Sequence, residues 1–189
     1  MGYVLILTAW LVGGLVIVLV GIVILLFFYF YNRIRILYNQ IEEAWAQIDV
    51  QLKKRYDLVP NLVETVKGYA KHEKEIFENV SKARQGMVSG NREERMESSN
   101  QLTSTLKSLF AIAENYPILK ANENFKLLQE QLEGIENKIA YARQHYNSSV
   151  LRYNNIITTI PGSWFAGNRT KHAFLDIPEE ERSPIKVKF

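Results

Sequence analysis

The chain has no cysteine among its 189 residues. Disulfides, cysteine-ligated zinc, covalent haem attachment and lipoprotein lipidation are therefore excluded, while the redox compartment is left open. Charge is missing too, but locally: residues 1–32 contain no Asp, Glu, Lys, Arg or His. The near-neutral mean hydropathy of −0.13 thus averages a lipid-soluble end with a strongly polar remainder. A net charge of +3 is too small to point to nucleic acid, and no basic stripe carries interleaved aromatics. No useful length alternates apolar and polar residues with period two, which argues against strands. Catalytic patterns are equally sparse. There is no Gly-x-Ser-x-Gly and no phosphate-cradling glycine loop, since Gly13 and Gly14 fall inside the apolar run. His72-Glu73 is half of a zinc-protease helix motif, but Ile76 stands where the second histidine belongs. His145 and His172 have no carboxylate at a spacing that singles them out. These absences point away from an enzyme, a metal site or a cofactor.

What is present begins with an apolar segment from Tyr3 to Phe30. It exceeds the roughly 20 residues a helix needs to cross a hydrocarbon core of about 30 Å. A cleaved signal peptide would carry a basic n-region, a shorter core and a small-residue cleavage site. Here no Lys or Arg precedes the run, and it ends in aromatics. Phe28, Tyr29 and Tyr31 predict an interfacial belt with Arg33 as stop signal, and Trp10 the opposite belt. Arg33 and Arg35 have no counterpart before the run, so the positive-inside rule predicts a single-pass protein of the inner cell membrane with its domain in the cytoplasm. Gly14 and Gly21, a heptad apart, and the pair Ala9 and Gly13 are small residues of the kind that seat helix on helix in lipid.

Beyond the membrane, apolar residues recur at steps of three and four: Ile34, Tyr38, Ile41, Trp45, Ile48, Leu52, Tyr56, Val59. The pattern predicts an amphipathic helix continuous with the anchor. Pro60 predicts a kink or break at 57–61. A second helix is expected over 61–88, unless it joins the first as one long kinked helix, with a turn at Ser89, Gly90 and Asn91. A third is expected over 92–115, and a fourth from Phe125 to Ile160 with a coiled-coil-like seam. The expected fold is all-α: a single N-terminal transmembrane helix (1–32) continuing into an antiparallel, up-and-down bundle of long helices (33–160), then an irregular tail (161–189).

The stretch from Ala44 through Lys53-Lys54-Arg55-Tyr56-Asp57-Leu58-Val59-Pro60-Asn61 to Val63 closely resembles the hallmark of the LemA family. So do its continuation Glu64 to Glu73, the segments Tyr116-Pro117 and Lys120 to Phe125, and Ile139 to Arg143 with Tyr146-Asn147. The resemblance runs from about Tyr38 to the C-terminus. It implies a bacterial or archaeal membrane-anchored helical bundle with no catalytic activity to carry over. One branch is associated with magnetosome membrane formation. The family name has also been attached to an unrelated sensor kinase, but this sequence has no kinase Gly-rich or catalytic loop.

The most distinctive stretch, Asp49 to Asn61, is expected to form either a solvated face or a protein-interaction face built from Asp49, Lys53, Lys54, Arg55, Tyr56, Asp57, Pro60 and Asn61. Asp49 and Lys53 could pair at i, i+4. On a straight helix this cluster stands about 30 Å above the bilayer, several Debye lengths away, so lipid attraction is not its purpose. After the fourth helix, Trp164 and Phe165 are expected at the bilayer interface or beside the anchor's base. The functional expectation is a non-enzymatic scaffold or adaptor, homo-oligomeric, holding membrane-associated protein partners at the bilayer. The alternative is a membrane-shaping protein acting through assembly.

Overall fold

In the computed structural model residues 1–70 and 73–176 are described, residues 4–7 and 9 by their backbone alone. His72, with its half motif, and the tail beyond Asp176 lie outside the described residues. The elements are α1 Gly2–Lys67, α2 Lys74–Gly86, α3 Arg92–Ala113, the short α4 Pro117–Ala121, α5 Glu123–Thr158 and a 3-10 turn, Gly162–Phe165. No strand occurs among the described residues. The chain divides into two compact units. The first comprises Met1–Glu42 and Ser148–Ala173; the second comprises Glu43–Asn147 and the chain from Phe174.

Pro60 does not break the helix, and α1 continues through it to Lys67. Proline lacks the N–H that would bond the carbonyl four residues back, here that of Tyr56. The side chain of Arg84 takes its place: its Nε donates to the Tyr56 carbonyl at 2.9 Å. The Arg84 guanidinium also lies 3.7 Å from the centroid of the Tyr56 ring. A donor from α2 thus satisfies the group that proline orphaned, and the helix carries on. The interruption comes instead at Gly68, after which Ala70 closes the last turn by donating to the Val66 carbonyl at 2.9 Å.

Within the second unit the helices alternate in direction. Lys67 stacks over Phe77 and Tyr56 meets Arg84, so α2 runs back along α1. Asp49 pairs with Arg95, and Arg55 bonds Ser99, so α3 runs with α1. Trp45 meets Tyr146 edge-on, and Arg55 pairs with Glu136, so α5 runs against it. This is the antiparallel up-and-down bundle. The turn before α3 depends on Gly90 at φ +97°, where a Cβ would meet Glu94 Oε2 at 2.2 Å. That carboxylate is occupied in a capping box. Asn91 Oδ1 accepts from the Glu94 amide at 2.8 Å, and the Asn91 amide donates to Glu94 Oε2 at 3.0 Å. Asn122 Oδ1 likewise accepts from the Phe125 amide at 3.1 Å and caps α5.

The first unit holds one helical stretch long and apolar enough to cross a membrane, and none of its most apolar window is buried. Below it, Ile34, Leu37 and Ile41 of α1 and Val150, Tyr153 and Ile157 of α5 are buried. Tyr38, Tyr153 and His172 form a ring cluster with centroids 5.2–6.2 Å apart. Burial raises the Tyr153 pKa above its usual value, partly offset by the positive charge of Arg169.

If Arg84 replaces the missing Pro60 donor, the two residues are energetically coupled. Arg84→Met strands a part-buried carbonyl and should cost about 1–3 kcal/mol in denaturant unfolding. In a Pro60→Ala background, where the backbone amide returns, the same substitution should cost measurably less. Equal costs in both backgrounds would show that Arg84 is not the substitute donor.

Candidate functional site

Arg55 is the largest fully buried side chain, with 2% of its surface exposed. Its Nη1 donates to Ser99 Oγ at 2.9 Å and to the Ser99 carbonyl at 3.2 Å, and its Nη2 donates to Thr103 Oγ1 at 2.9 Å. Nη1 also lies 2.5 Å from Glu136 Oε2, an ion pair whose carboxylate is a quarter exposed. Nε has no hydrogen-bond partner. Burial pushes the guanidinium pKa down, and Glu136 holds it back up. Arg55, Phe110, Leu132 and Glu136 line a largely apolar cavity of about 320 Å³. The arrangement is a charged lock among α1, α3 and α5, not an acid–base pair poised on a substrate.

Two open grooves run between α1 and α5 in the same unit. One, of about 500 Å³, is lined by Val50, Gln51, Lys138, Tyr141 and His145. The other, of about 480 Å³, is lined by Lys54, Asp57, Leu58, Gly134, Ile135 and Lys138. Lys138 belongs to both. On the walls of the first, Val50 is 52% and Tyr141 74% exposed. Among the described residues no group of three or more His, Asp or Glu side chains is placed to hold a metal ion.

The expected interaction face is not one surface. Lys53, Lys54, Asp57 and Asn61 are exposed, while Asp49, Tyr56 and Pro60 are half-buried. Arg55 is a correction: it faces the core, because it occupies a seam position between buried Leu52 and Val59. The expected Asp49–Lys53 pair is replaced as well. Lys53 bonds Asp57 at 2.7 Å, and Asp49 reaches across to Arg95. Lys54 and Asp57 line a groove. At the anchor, Phe165 stacks on Phe30 with centroids 5.3 Å apart and planes within 2°, whereas Trp164 is 71% exposed. Trp10, Phe28, Tyr29, Tyr31 and Arg33 are exposed along α1.

Two asparagines went unread in the sequence. Asn147 donates to the Leu175 carbonyl and accepts from its amide, both at 2.9 Å. Asn154 does the same to His172, at 2.9 and 3.0 Å. Each carboxamide pairs with the extended tail as a neighbouring strand would. The signal available was polar Asn at or beside positions of the α5 apolar seam.

The model of the LemA family matches residues 44–189. The chain is similar to the magnetosome protein MamQ of Magnetospirillum gryphiswaldense, 24% identical over 163 residues that cover 72% of this chain and 60% of that protein. MamQ 1 and MamQ 2 of Paramagnetospirillum magneticum are each 23% identical with the same coverage. The chain therefore spans about three fifths of the length of the curated relatives it matches.

Removing one partner of a buried ion pair strands the other. A fully buried pair loses about 3–5 kcal/mol this way. Glu136→Gln should cost less, about 1–3 kcal/mol, because Glu136 is partly exposed and Ser99 and Thr103 remain as acceptors. The double change Arg55→Met with Glu136→Leu should recover most of that loss in urea unfolding. A double variant as unstable as the sum of the singles would show that the two residues do not act as a pair.

Proposed function

Because the chain belongs to the LemA family, we propose that it is a membrane-anchored scaffold that self-associates and holds partner proteins through the α1–α5 grooves. The family is membrane-associated and non-catalytic. The observation that carries the reading is the apolar lining of the grooves on an otherwise charged bundle. Val50, Leu58, Ile135 and Tyr141 line them, with Lys54 and Lys138 at their edges. Asp57, the carboxylate present there, is engaged by Lys53. The matching partner is an amphipathic helix with acidic flanks, and the occupant we favour is a helix from a second copy. The anchor supports that choice: a Cβ at Gly13, Gly14 or Gly21 would meet nothing within 4 Å, so these positions offer close approach to another helix. Helix seams alone do not supply the contact, because the α5 seam from Phe125 to Tyr153 is buried by its own chain. Similarity to magnetosome proteins favours a second reading, in which assembled copies bend or organise the bilayer. Liposomes that tubulate on adding purified protein would select it.

The bundle faces the cytoplasm in this proposal, since Arg33 and Arg35 follow the apolar run directly. A reporter active only outside the cytoplasm, fused after Phe189, should stay silent. Activity would reverse the orientation. In mild detergent the protein should be larger than a monomer by mass photometry, and Val50→Asp with Tyr141→Ala should shift it toward monomer. A monomeric wild type, or a double variant of unchanged mass, would remove the grooves from self-association.

A further inference from the structure

The end of α5 and the turn after it present apolar side chains to solvent beside the base of the anchor. Ile160 and Trp164 are each 71% exposed. Their presentation is built. Gly162 is buried where a Cβ would meet the Ile156 carbonyl at 2.2 Å, so the chain passes too close to α5 for any other residue. The Ser163 amide donates to the Thr159 carbonyl at 2.9 Å, and the Trp164 amide to the Pro161 carbonyl at 3.1 Å. Phe165 points the other way and packs against Phe27 and Phe30, at centroid distances of 6.2 and 5.3 Å. Phe30 lies in the last helical turn before Arg33, about 4.5 Å along the axis at 1.5 Å per residue. Whatever depth the aromatic end of the anchor takes, the turn takes as well. An indole there is at home among headgroups and misplaced in water.

The charge of this unit is one-sided. It holds five Lys or Arg side chains, Arg33, Arg35, Arg152, Arg169 and Lys171, against a single carboxylate, Glu42. Arg169 is anchored in place: its Nη1 donates to the Ala166 carbonyl at 2.9 Å, and its guanidinium lies 5.3 Å from the centroid of the Tyr31 ring. The rest of its planar donor fork suits a phosphate oxygen pair.

We propose that the turn Gly162–Phe165 is a second foot on the membrane that selects anionic phospholipid. Trp164 and Ile160 enter the headgroup layer, and Arg169 and Lys171 hold headgroup phosphates. The partner is a lipid surface because the exposed apolar residues are continuous with the spanning segment through the Phe165–Phe30 stack. It is an anionic one because the unit carries almost no acid to balance its cations.

The test uses the full-length protein in lipid nanodiscs. Trp10→Phe with Trp45→Phe leaves Trp164 as the indole that reports. Trp45→Phe with Trp164→Phe leaves Trp10 as a control for insertion of the anchor itself. Brominated lipid is supplied either as phosphatidylglycerol or as phosphatidylcholine, at equal total composition. Trp164 should be quenched by both, and a few-fold more strongly by the anionic lipid, since cations near the bilayer surface attract anionic headgroups. Arg169→Gln with Lys171→Gln should erase that preference while quenching by phosphatidylcholine persists. Added salt should erode the preference in the unsubstituted foot. Quenched Trp10 with unquenched Trp164 would overturn the foot while leaving the anchor. Equal quenching by the two lipids would overturn the headgroup selection. An unquenched Trp10 would remove the anchor, and the foot with it.

Discussion

A guanidinium sits in an apolar interior only when most of its donors and its charge are matched, and Arg55 imposes that condition on three helices at once. Ser99 and Thr103 sit one turn apart on α3 so that both hydroxyls reach the same fork, and Glu136 on α5 supplies the charge. Hydrophobic side chains tolerate a slip of one turn with modest loss, because apolar contact is non-directional. A buried ion pair with fixed hydroxyl acceptors does not, since a slip strands the charge. The neighbouring residue brings in the remaining long helix: the carbonyl of Tyr56, released by Pro60, takes the side chain of Arg84 from α2. Two consecutive residues of α1 therefore set the register of the second unit.

Much of the architecture was legible in the sequence, because helix periodicity records burial directly. The apolar run and the Ser89-Gly90-Asn91 turn stand where the pattern placed them, and the α5 seam does so as far as Tyr153. The α1 seam was drawn slightly off its axis. The buried positions are Ile34, Leu37, Ile41, Ala44, Ile48, Leu52, Arg55, Val59, Leu62 and Val66. Tyr38, Trp45 and Tyr56, each one residue further on, fit the same three-and-four spacing, and Trp45 and Tyr56 carry more apolar surface than Ala44 and Arg55. They flank it instead, because a large ring with a polar edge does well at a boundary. Trp45 there takes Arg92 and Arg95 over its face, and Tyr56 takes Arg84. Arg55 was hidden for a related reason. Inside Lys53-Lys54-Arg55 it reads as part of a solvated basic cluster, although its spacing from Leu52 and Val59 is that of the core. At Pro60 the local rule left a break open, and that rule is sound but incomplete. The donor that repairs the helix comes from residue 84, and nothing near residue 60 announces it.

The same accounting bears on what the molecule does. Its polar side chains are occupied in holding backbone and charge. Asn91 and Asn122 cap helices, Asn147 and Asn154 clip the tail, and Ser99, Thr103 and Glu136 take both terminal nitrogens of Arg55. A catalytic centre needs such groups aimed at an open space with their bonding capacity in reserve. Here these groups bond inward, and among the residues facing out are apolar ones: Val50 and Tyr141 on the α1–α5 grooves, Ile160 and Trp164 beside the anchor. Scattered exposed apolar residues are ordinary on any protein. These are not scattered. One set lines grooves edged by lysines, and the other is held out by a turn that only glycine permits, on a unit that carries a single acid. Exposed apolar surface of that kind costs free energy in water, and it gains only when something covers it. Covered by a helix in the grooves and by headgroups at the turn, as proposed, both surfaces would lose that cost.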